Sequence, residues 1–474
     1  MRVPRPKRFL FTTLMSEDLG LVTRTLPVAK ELEKQGHKVF FCNPARIPGK
    51  VIEEAGIENL RLNHPLMYLG SFGRPSLTQF LRLLQSGQMK RDFGSVGSFL
   101  KKYGQALPGK FAPSTSEVWD MDHLYALTLA LNEGYSRCTC EAFMRVMEEH
   151  EVDVVVDAWN LWAAMAARVL GKPLATIIQA DMHPASRGFV WWKERMRDMP
   201  TPVPVVNKLL GEYGLEPVST TAEFNVGDLT LVLGIPETDP LPDHAKAEHI
   251  GAILWQQEDG DLPGWFDALR TDKPIVWVYS ANPRYGPASA WADSGVVLEA
   301  CIDALKDEDM QIVLTRGQYD LPKKLLPLPA NFHCASFVPG LSLARRCDLM
   351  IHHGGFGSSQ TGFYTGTPAV VIPTFSERES NARHIAAVGA GEFVLPAEYS
   401  TGDKSILMYE IRARVRRVLK QTRMRDGFVD ELRSKVRKVL SGPTYRKNAK
   451  EISAKMRSYG GAPEAARLIE GLVK

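Results

Sequence analysis

The apolar residues of the chain fall into short runs separated by stretches with helical spacing. Residues 9–13 form the first run. It leads into a segment where Leu26, Ala29 and Leu32 recur on one side, closed by Gly36 and followed by a second run at 39–42. A short apolar run bounded by turn residues reads as a buried strand, and apolar positions three or four apart read as an amphipathic helix. This stretch therefore predicts strand, helix, strand. The alternation returns at 152–156, 161–170 and Leu174–Ile178, and again, after a run at 231–233, at Ile275–Tyr279, 294–305, 312–314, 349–351 and 369–372. Between the two series, residues 236–264 are dense in Pro, Asp and Gly and read as a connection. Alternation of this kind predicts parallel sheets wrapped by helices. The expected architecture is α/β, two doubly wound Rossmann-like domains facing a central cleft, where ligands bind outside the carboxyl ends of the strands. The expected boundaries are 1–240 for the first domain, 241–270 for the linker, 271–450 for the second domain and 451–474 for a closing helix that packs back on the first. Residues 66–121 are rich in Gly, Ser, Pro and basic side chains with no clear period, and are expected at the rim of the cleft.

Composition narrows the class. A chain of 474 residues, 44% hydrophobic, can bury two cores, and no segment approaches the ~20 apolar residues that cross a bilayer. The basic start followed by a short apolar run lacks a small-residue cleavage pattern, so it reads as a first strand and a cytoplasmic location is expected. Six scattered cysteines do not predict a disulfide framework, and Cys138 with Cys140 lacks the partners of a zinc site. The net charge is +4, yet residues 401–474 carry 19 basic against 8 acidic side chains. Arg412, Arg414, Arg416, Arg417 and Lys420 interleave with Ile411, Val415, Val418 and Leu419, which predicts solvated faces of amphipathic helices rather than a nucleic-acid surface. Peripheral contact with an anionic membrane stays open.

The densest chemistry lies at 347–391. An apolar strand ends in His352 and His353, and Gly354, Gly355 and Gly357 follow before a helix that runs to Gly366. Glycines let the backbone approach a ligand, and the amides and positive dipole end of a helix start form an anion site. Ser358, Ser359 and His353 add donors. A diphosphate suits this set. Neither a P-loop nor a Gly-x-Gly-x-x-Gly after the first strand is present, which argues against kinases and dehydrogenases.

The run from Phe337-Val338-Pro339 through His353-Gly354-Gly355-Phe356-Gly357-Ser358 and Gly366-Thr367-Pro368 to Pro373 and Asn381-Ala382 resembles, landmark by landmark, the donor site of the glycosyltransferase family that includes bacterial macrolide and plant flavonoid enzymes. The resemblance implies a GT-B fold with an acceptor-binding first domain and a donor-binding second domain. It implies inverting, metal-independent transfer of a sugar from a UDP- or dTDP-sugar to a small aromatic or apolar acceptor such as a natural product. No cofactor is implied beyond the nucleotide sugar as co-substrate, no nucleic-acid partner, and a monomer or homodimer. The implied donor-binding residues are Asn282, Arg316, Phe337, Val338, His353, Gly355, Gly357, Ser358, Ser359, Glu377 and Arg378. Of these, Phe337 and Val338 would border the nucleobase, His353 would contact the diphosphate and Ser358 a phosphate oxygen. The tail at 443–474 is similar to the family's closing helix.

Several positions depart from the family pattern. Glu377 and Arg378 stand where Asp-Gln usually meets sugar hydroxyls; Arg378 could take an acidic sugar or pair with Glu377 or Glu379. Thr361 replaces the usual ribose-binding Glu. In the first domain Leu21 occupies the place of the usual catalytic His. Candidate replacements are Asp18, beside Glu17 in the loop before the first helix, His123, flanked by Asp120 and Asp122, and Asp181, which with His183 follows a strand and is expected to face the acceptor. Asp18 could instead cap the first helix. The Asp120-x-Asp122 spacing recurs elsewhere and does not predict a metal. Trp159, Trp162, Trp191 and Trp192 are expected to wall an apolar acceptor, or to be core. The competing readings are a sugar-nucleotide epimerase and a catalytically inactive partner protein.

Overall fold

The computed structural model describes residues 5–69, 81, 85, 87–113, 117–255, 260–269, 272–279, 288–317, 320–321, 323–396 and 425–473. The first lobe runs β1 (Arg8–Thr13), α1 (Val22–Lys34), β2 (Lys38–Phe41), α2 (Arg46–Glu54), β3 (Glu58–Asn59), α3 (Gln88–Phe93), α4 (Val96–Ala106), α5 (Met121–Leu127), α6 (Glu133–Glu149), β4 (Val154–Ala158), α7 (Leu161–Val169), β5 (Leu174–Ile178), α8 (Val203–Glu212), β6 (Leu229–Val232) and β7 (Glu248–His249). The second continues β8 (Ile275–Tyr279), α9 (Ala288–Leu305), β9 (Gln311–Thr315), β10 (Phe332–Ala335), α10 (Gly340–Arg346), β11 (Leu349–His352), α11 (Phe356–Thr365), β12 (Ala369–Val371), α12 (Ser376–Ala387), β13 (Gly391–Phe393), α13 (Phe428–Ser441), α14 (Pro443–Ser458) and α15 (Gly461–Gly471).

The strands form a seven-stranded parallel sheet, ordered β3-β2-β1-β4-β5-β6-β7, and a six-stranded parallel sheet, ordered β10-β9-β8-β11-β12-β13. Because successive strand residues point to opposite faces, each apolar run feeds two cores. Leu10, Phe40 and Val155 join one, while Phe9, Phe11, Val154 and Val156 join the other. In the second lobe Val276, Val278 and Ile351 lie on one side, and Trp277, Met350 and Val371 on the other. This is why the strands read as unbroken apolar runs.

Chain order reverses at β1/β4 and at β8/β11, so both sheets have their switch points there. The β1–α1 and β11–α11 connections both open from those points, where such folds hold ligands. The tail ties the lobes together. Ser453 in α14 donates to the Tyr364 carbonyl in α11 at 2.6 Å, and Gly461 donates to Ile250 at 2.8 Å. Ala465, Ala466 and Ile469 of α15 then share a core with Val22, Leu26 and Ala29 of α1.

The structure adds what the pattern did not predict. β7 lies within the stretch expected as linker and extends the first sheet. β3, β7, β10 and β13 are only two to four residues long, too short for a period to register. The irregular stretch at 66–121 holds α3 and α4, which close a small cluster of Met89, Phe93 and Phe99. The described cysteines are unpaired, and all but Cys334 are buried. No helix among the described residues is long and apolar enough to cross a membrane. The expected helical faces at 411–420, and Asn282, lie outside the described residues.

Candidate functional site

The loop from His353 to Ser359 is shaped by its glycines. Gly354 adopts φ +87°, a left-handed conformation, and a Cβ there would stand 2.6 Å from the Arg378 carbonyl oxygen. Gly355 caps α11 with an ordinary φ of −59°, but a Cβ on it would meet Nε2 of His353 at 2.5 Å. Gly357 has nothing within 4 Å of its notional Cβ, so the loop leaves open room at the helix start. Asn381 fixes the loop from α12, donating to the Gly354 carbonyl at 2.9 Å. The amides of Ser358 and Ser359 are spent on Gly355, which leaves those of Phe356 and Gly357 without a backbone partner among the described residues, as a helix start requires.

Both histidines are held neutral. Burial pushes His352 down to about 4, and its Nδ1 accepts from the Gly354 amide at 3.1 Å. His353 is lowered well below the usual range by burial first and then by the Arg378 charge; its ring lies 5.9 Å from that of Tyr279. A neutral imidazole keeps one donor and one acceptor nitrogen.

Several expectations are corrected here. The Ser359 hydroxyl donates to the Gly355 carbonyl at 3.2 Å and that of Thr361 to Gly357 at 2.9 Å, since short side chains inside a helix bond back to the preceding turn. Ser358 remains half-buried. Arg378 donates from Nη1 to Thr374 at 2.5 Å and its charge acts on Glu377, while Glu379 takes Arg383 at 2.8 Å. At the edge of the lobe, Phe337 is 74% exposed while Val338 is buried. Arg316 follows β9 and meets Asp320 at 3.2 Å. In the sheet order β10-β9-β8-β11, Arg316 after β9 stands two strands, and Phe337 and Val338 after β10 three strands, from the strand that leads into the glycine loop.

The first-lobe candidates sit in different surroundings. Asp18 is exposed and accepts from the Gly20 amide at 2.8 Å; α1 has no side-chain cap, so Asp18 does not cap it. Glu17 instead accepts from the Arg46 and Ile47 amides at the start of α2. His123 lies fully buried in α5 rather than at a rim. Its flanking carboxylates are engaged elsewhere: Asp120 caps α5 and meets Arg195 at 2.8 Å, and Asp122 accepts from Thr220 and Thr221. Trp162 is core, packed edge-on to Tyr135, while Trp191 crosses the cleft and donates to Ser380 at 2.9 Å.

Asp181 belongs to a cross-lobe cluster that the sequence did not single out. It accepts from Ser380 of α12 at 2.5 Å and lies 3.5 Å from Nε2 of His384. Burial opposes charge on His384, yet Asp181 and then Asp239 raise its pKa above the ordinary value. Asp239 is itself pushed up to about 7 by burial, against the pull of His384. Beside them, partly buried Glu377 accepts from Gln179 of the first lobe at 3.1 Å and from Asn381 at 3.0 Å, and desolvation raises its carboxyl against the pull of Arg24. Ser376 donates to the Val118 carbonyl across the same cleft at 2.6 Å. Among the described residues no group of His, Cys, Asp and Glu is arranged to hold a metal ion.

Two parallel-sheet lobes, a glycine loop opening at the second switch point and a tail returning to the first lobe define a GT-B architecture. The comparisons agree. Residues 299–427 match the family described as erythromycin biosynthesis protein CIII-like, C-terminal domain. The uncharacterized UDP-glucosyltransferase YojK of Bacillus subtilis is 29% identical over 251 residues, covering 52% of this chain and 53% of that protein; the chain spans about half the length of the curated relatives it matches. Among solved structures, the calicheamicin glycosyltransferase CalG4 superposes with a TM-score of 0.64 at 18% identity over 99% of both chains. The glycosyltransferase VinC in complex with dTDP gives 0.62 at 16% identity over 98% of this chain and 99% of that one. The fold is GT-B, and the resemblance carried by the motif from Phe337 to Asn381 to glycosyltransferases of the macrolide type stands.

Proposed function

We propose that the protein is an inverting, metal-independent glycosyltransferase that moves a sugar from a UDP- or dTDP-sugar to a small apolar or aromatic acceptor. The observation that carries this reading is the loop from His353 to Ser359, where two unbonded helix amides, a neutral imidazole and an open glycine converge on space fit for a diphosphate. The relatives' names, a UDP-glucosyltransferase and a structure holding dTDP, support the same donor class.

In the reaction, the acceptor hydroxyl oxygen bonds to the anomeric carbon from the face opposite the leaving group. The bond from that carbon to the distal phosphate oxygen breaks, and its electron pair leaves with the nucleoside diphosphate. We assign the acceptor's proton to Asp18, whose exposed carboxylate opens from the β1 switch point, since His123 is sealed in the core and Asp181 already accepts from Ser380. Phe337 offers an open ring face to a nucleobase, and by the resemblance Glu377 and Arg378 would meet the sugar hydroxyls.

The test is incubation with UDP- and dTDP-sugars, with and without a panel of aromatic acceptors, read by mass spectrometry in excess EDTA. A glycosylated acceptor formed under chelation is expected. Epimerised donor without acceptor, or activity that returns only with a divalent metal, would overturn the reading.

A further inference from the structure

Arg24 is out of place by every local rule. It lies in the first turn of α1, a turn with no acidic residue, where the positive end of the helix dipole disfavours a cation. Its Nε and Nη1 are shielded from water and have no hydrogen-bond partner among the described residues. A buried donor left unpaired is costly, more so when charged. Burial lowers its pKa from the ordinary value; the charges that oppose this, Glu377, Asp18 and Asp239, surround the guanidinium without an ion pair to it among the described residues.

Its position gives a reason. The guanidinium carbon lies 4.5 Å over the ring of Phe356, the first residue of α11, and Phe356 packs with the apolar core of the first lobe. Arg24 therefore reaches from the first lobe to the helix start whose amides are unbonded. A first-lobe cation and a second-lobe helix terminus face one space.

We infer that Arg24 closes over the diphosphate of the donor and neutralises the charge left on the distal phosphate as the sugar departs. This rests on the donor reading above. The fork of Nε and Nη donors suits a phosphate bidentately, and because the residue belongs to the first lobe, the diphosphate is fully neutralised only when the lobes are together.

Calorimetry with UDP, UMP, dTDP and dTMP on wild type, Arg24→Gln and Arg24→Lys tests this, with ligand-free melting beside it. Arg24→Gln should weaken the diphosphates about 10- to 100-fold, the size expected for hydrogen bonds to a charged group, and leave the monophosphates within about twofold, because only the distal phosphate loses its partner. Arg24→Lys should recover part of the loss. If Arg24 only packs on Phe356, Arg24→Gln lowers the melting temperature and weakens mono- and diphosphates alike, which overturns the inference. Unchanged diphosphate affinity overturns it too. Should Arg24→Gln fail to fold, Arg24→Lys decides by the same ratio of di- to monophosphate affinity. Wild type that binds no nucleotide overturns the donor reading itself.

Discussion

Alanine at Gly357 adds one methyl group where nothing lies within 4 Å, in a helix where alanine is favoured over glycine by up to ~1 kcal/mol. Stability should hold or rise. If the diphosphate rests against the start of α11, the same methyl enters ligand space, and an overpacking cost of about 1–3 kcal/mol lowers nucleotide affinity roughly 5- to 150-fold. Gly355→Ala attacks the same site by another route. Its φ of −59° suits any residue, but the new Cβ would stand 2.5 Å from Nε2 of His353, so the ring must swing away. Affinity should fall as with His353→Ala, about tenfold or more, the loss of one hydrogen bond to a charged group. Gly354→Ala should do the opposite. The left-handed backbone costs about 1–2 kcal/mol, and the approach to the Arg378 carbonyl and Val371 adds about 1–3 kcal/mol, so folding itself weakens. Calorimetry with UDP and dTDP, paired with urea unfolding, separates the three. If Gly357→Ala and Gly355→Ala both bind nucleotide like wild type, the diphosphate does not sit on this loop.

Asp18→Asn keeps shape and the acceptance from Gly20 but removes the basic oxygen, so kcat should fall roughly 100-fold or more with donor affinity unchanged; if it turns over normally while Asp181→Asn is dead, the role passes to Asp181. Asp157 is fully buried between Thr12 and the Asn160 amide, and burial pushes its carboxyl up to about 7. The native state thus holds a proton that the unfolded chain releases near ~3.9, and this contribution to stability, full at low pH, is lost as pH rises from about 4 through 7. Denaturant unfolding across that window should show a shallower fall in Asp157→Asn than in wild type; parallel curves would contradict the assignment. Ile469→Ala empties a buried site in the core shared by α15 and α1 and should cost about 2–5 kcal/mol in urea unfolding; a smaller loss would mean that the tail adds little to the first lobe.

The sheets were legible because their strands are buried on both faces and so read as apolar runs. Leu174–Ile178 and Ile275–Tyr279 match strand for strand. Edge strands such as Glu248–His249 carry too few residues to show a period, and this one falls within the stretch that composition marks as linker. The glycine loop was legible for a different reason: backbone geometry at Gly354 and Gly355 constrains residue type locally. Side-chain partners across the cleft were not. Whether Asp181 faces an acceptor or bonds Ser380, nearly 200 positions further along, depends on how two lobes meet, and no spacing encodes that. The same holds for His123, whose neighbours Asp120 and Asp122 have the spacing of orienting carboxylates but bond Arg195 and Thr221 instead. Arg24 alone left a trace, a cation in a helix first turn otherwise free of charge.

Glu377 joins these threads. The family pattern has the shorter Asp at this position, and the extra methylene of Glu lets Oε1 reach both Asn381 in its own helix and Gln179 in the other lobe. An Asp would hold one of these partners at most, leaving a buried amide unsatisfied at about 1–3 kcal/mol. Glu377 also pulls on Arg24 from the opposite side of the cleft. Glu377 is thus a tie between the lobes, and on the proposed donor reading a sugar that engaged its oxygens would loosen the Gln179 contact.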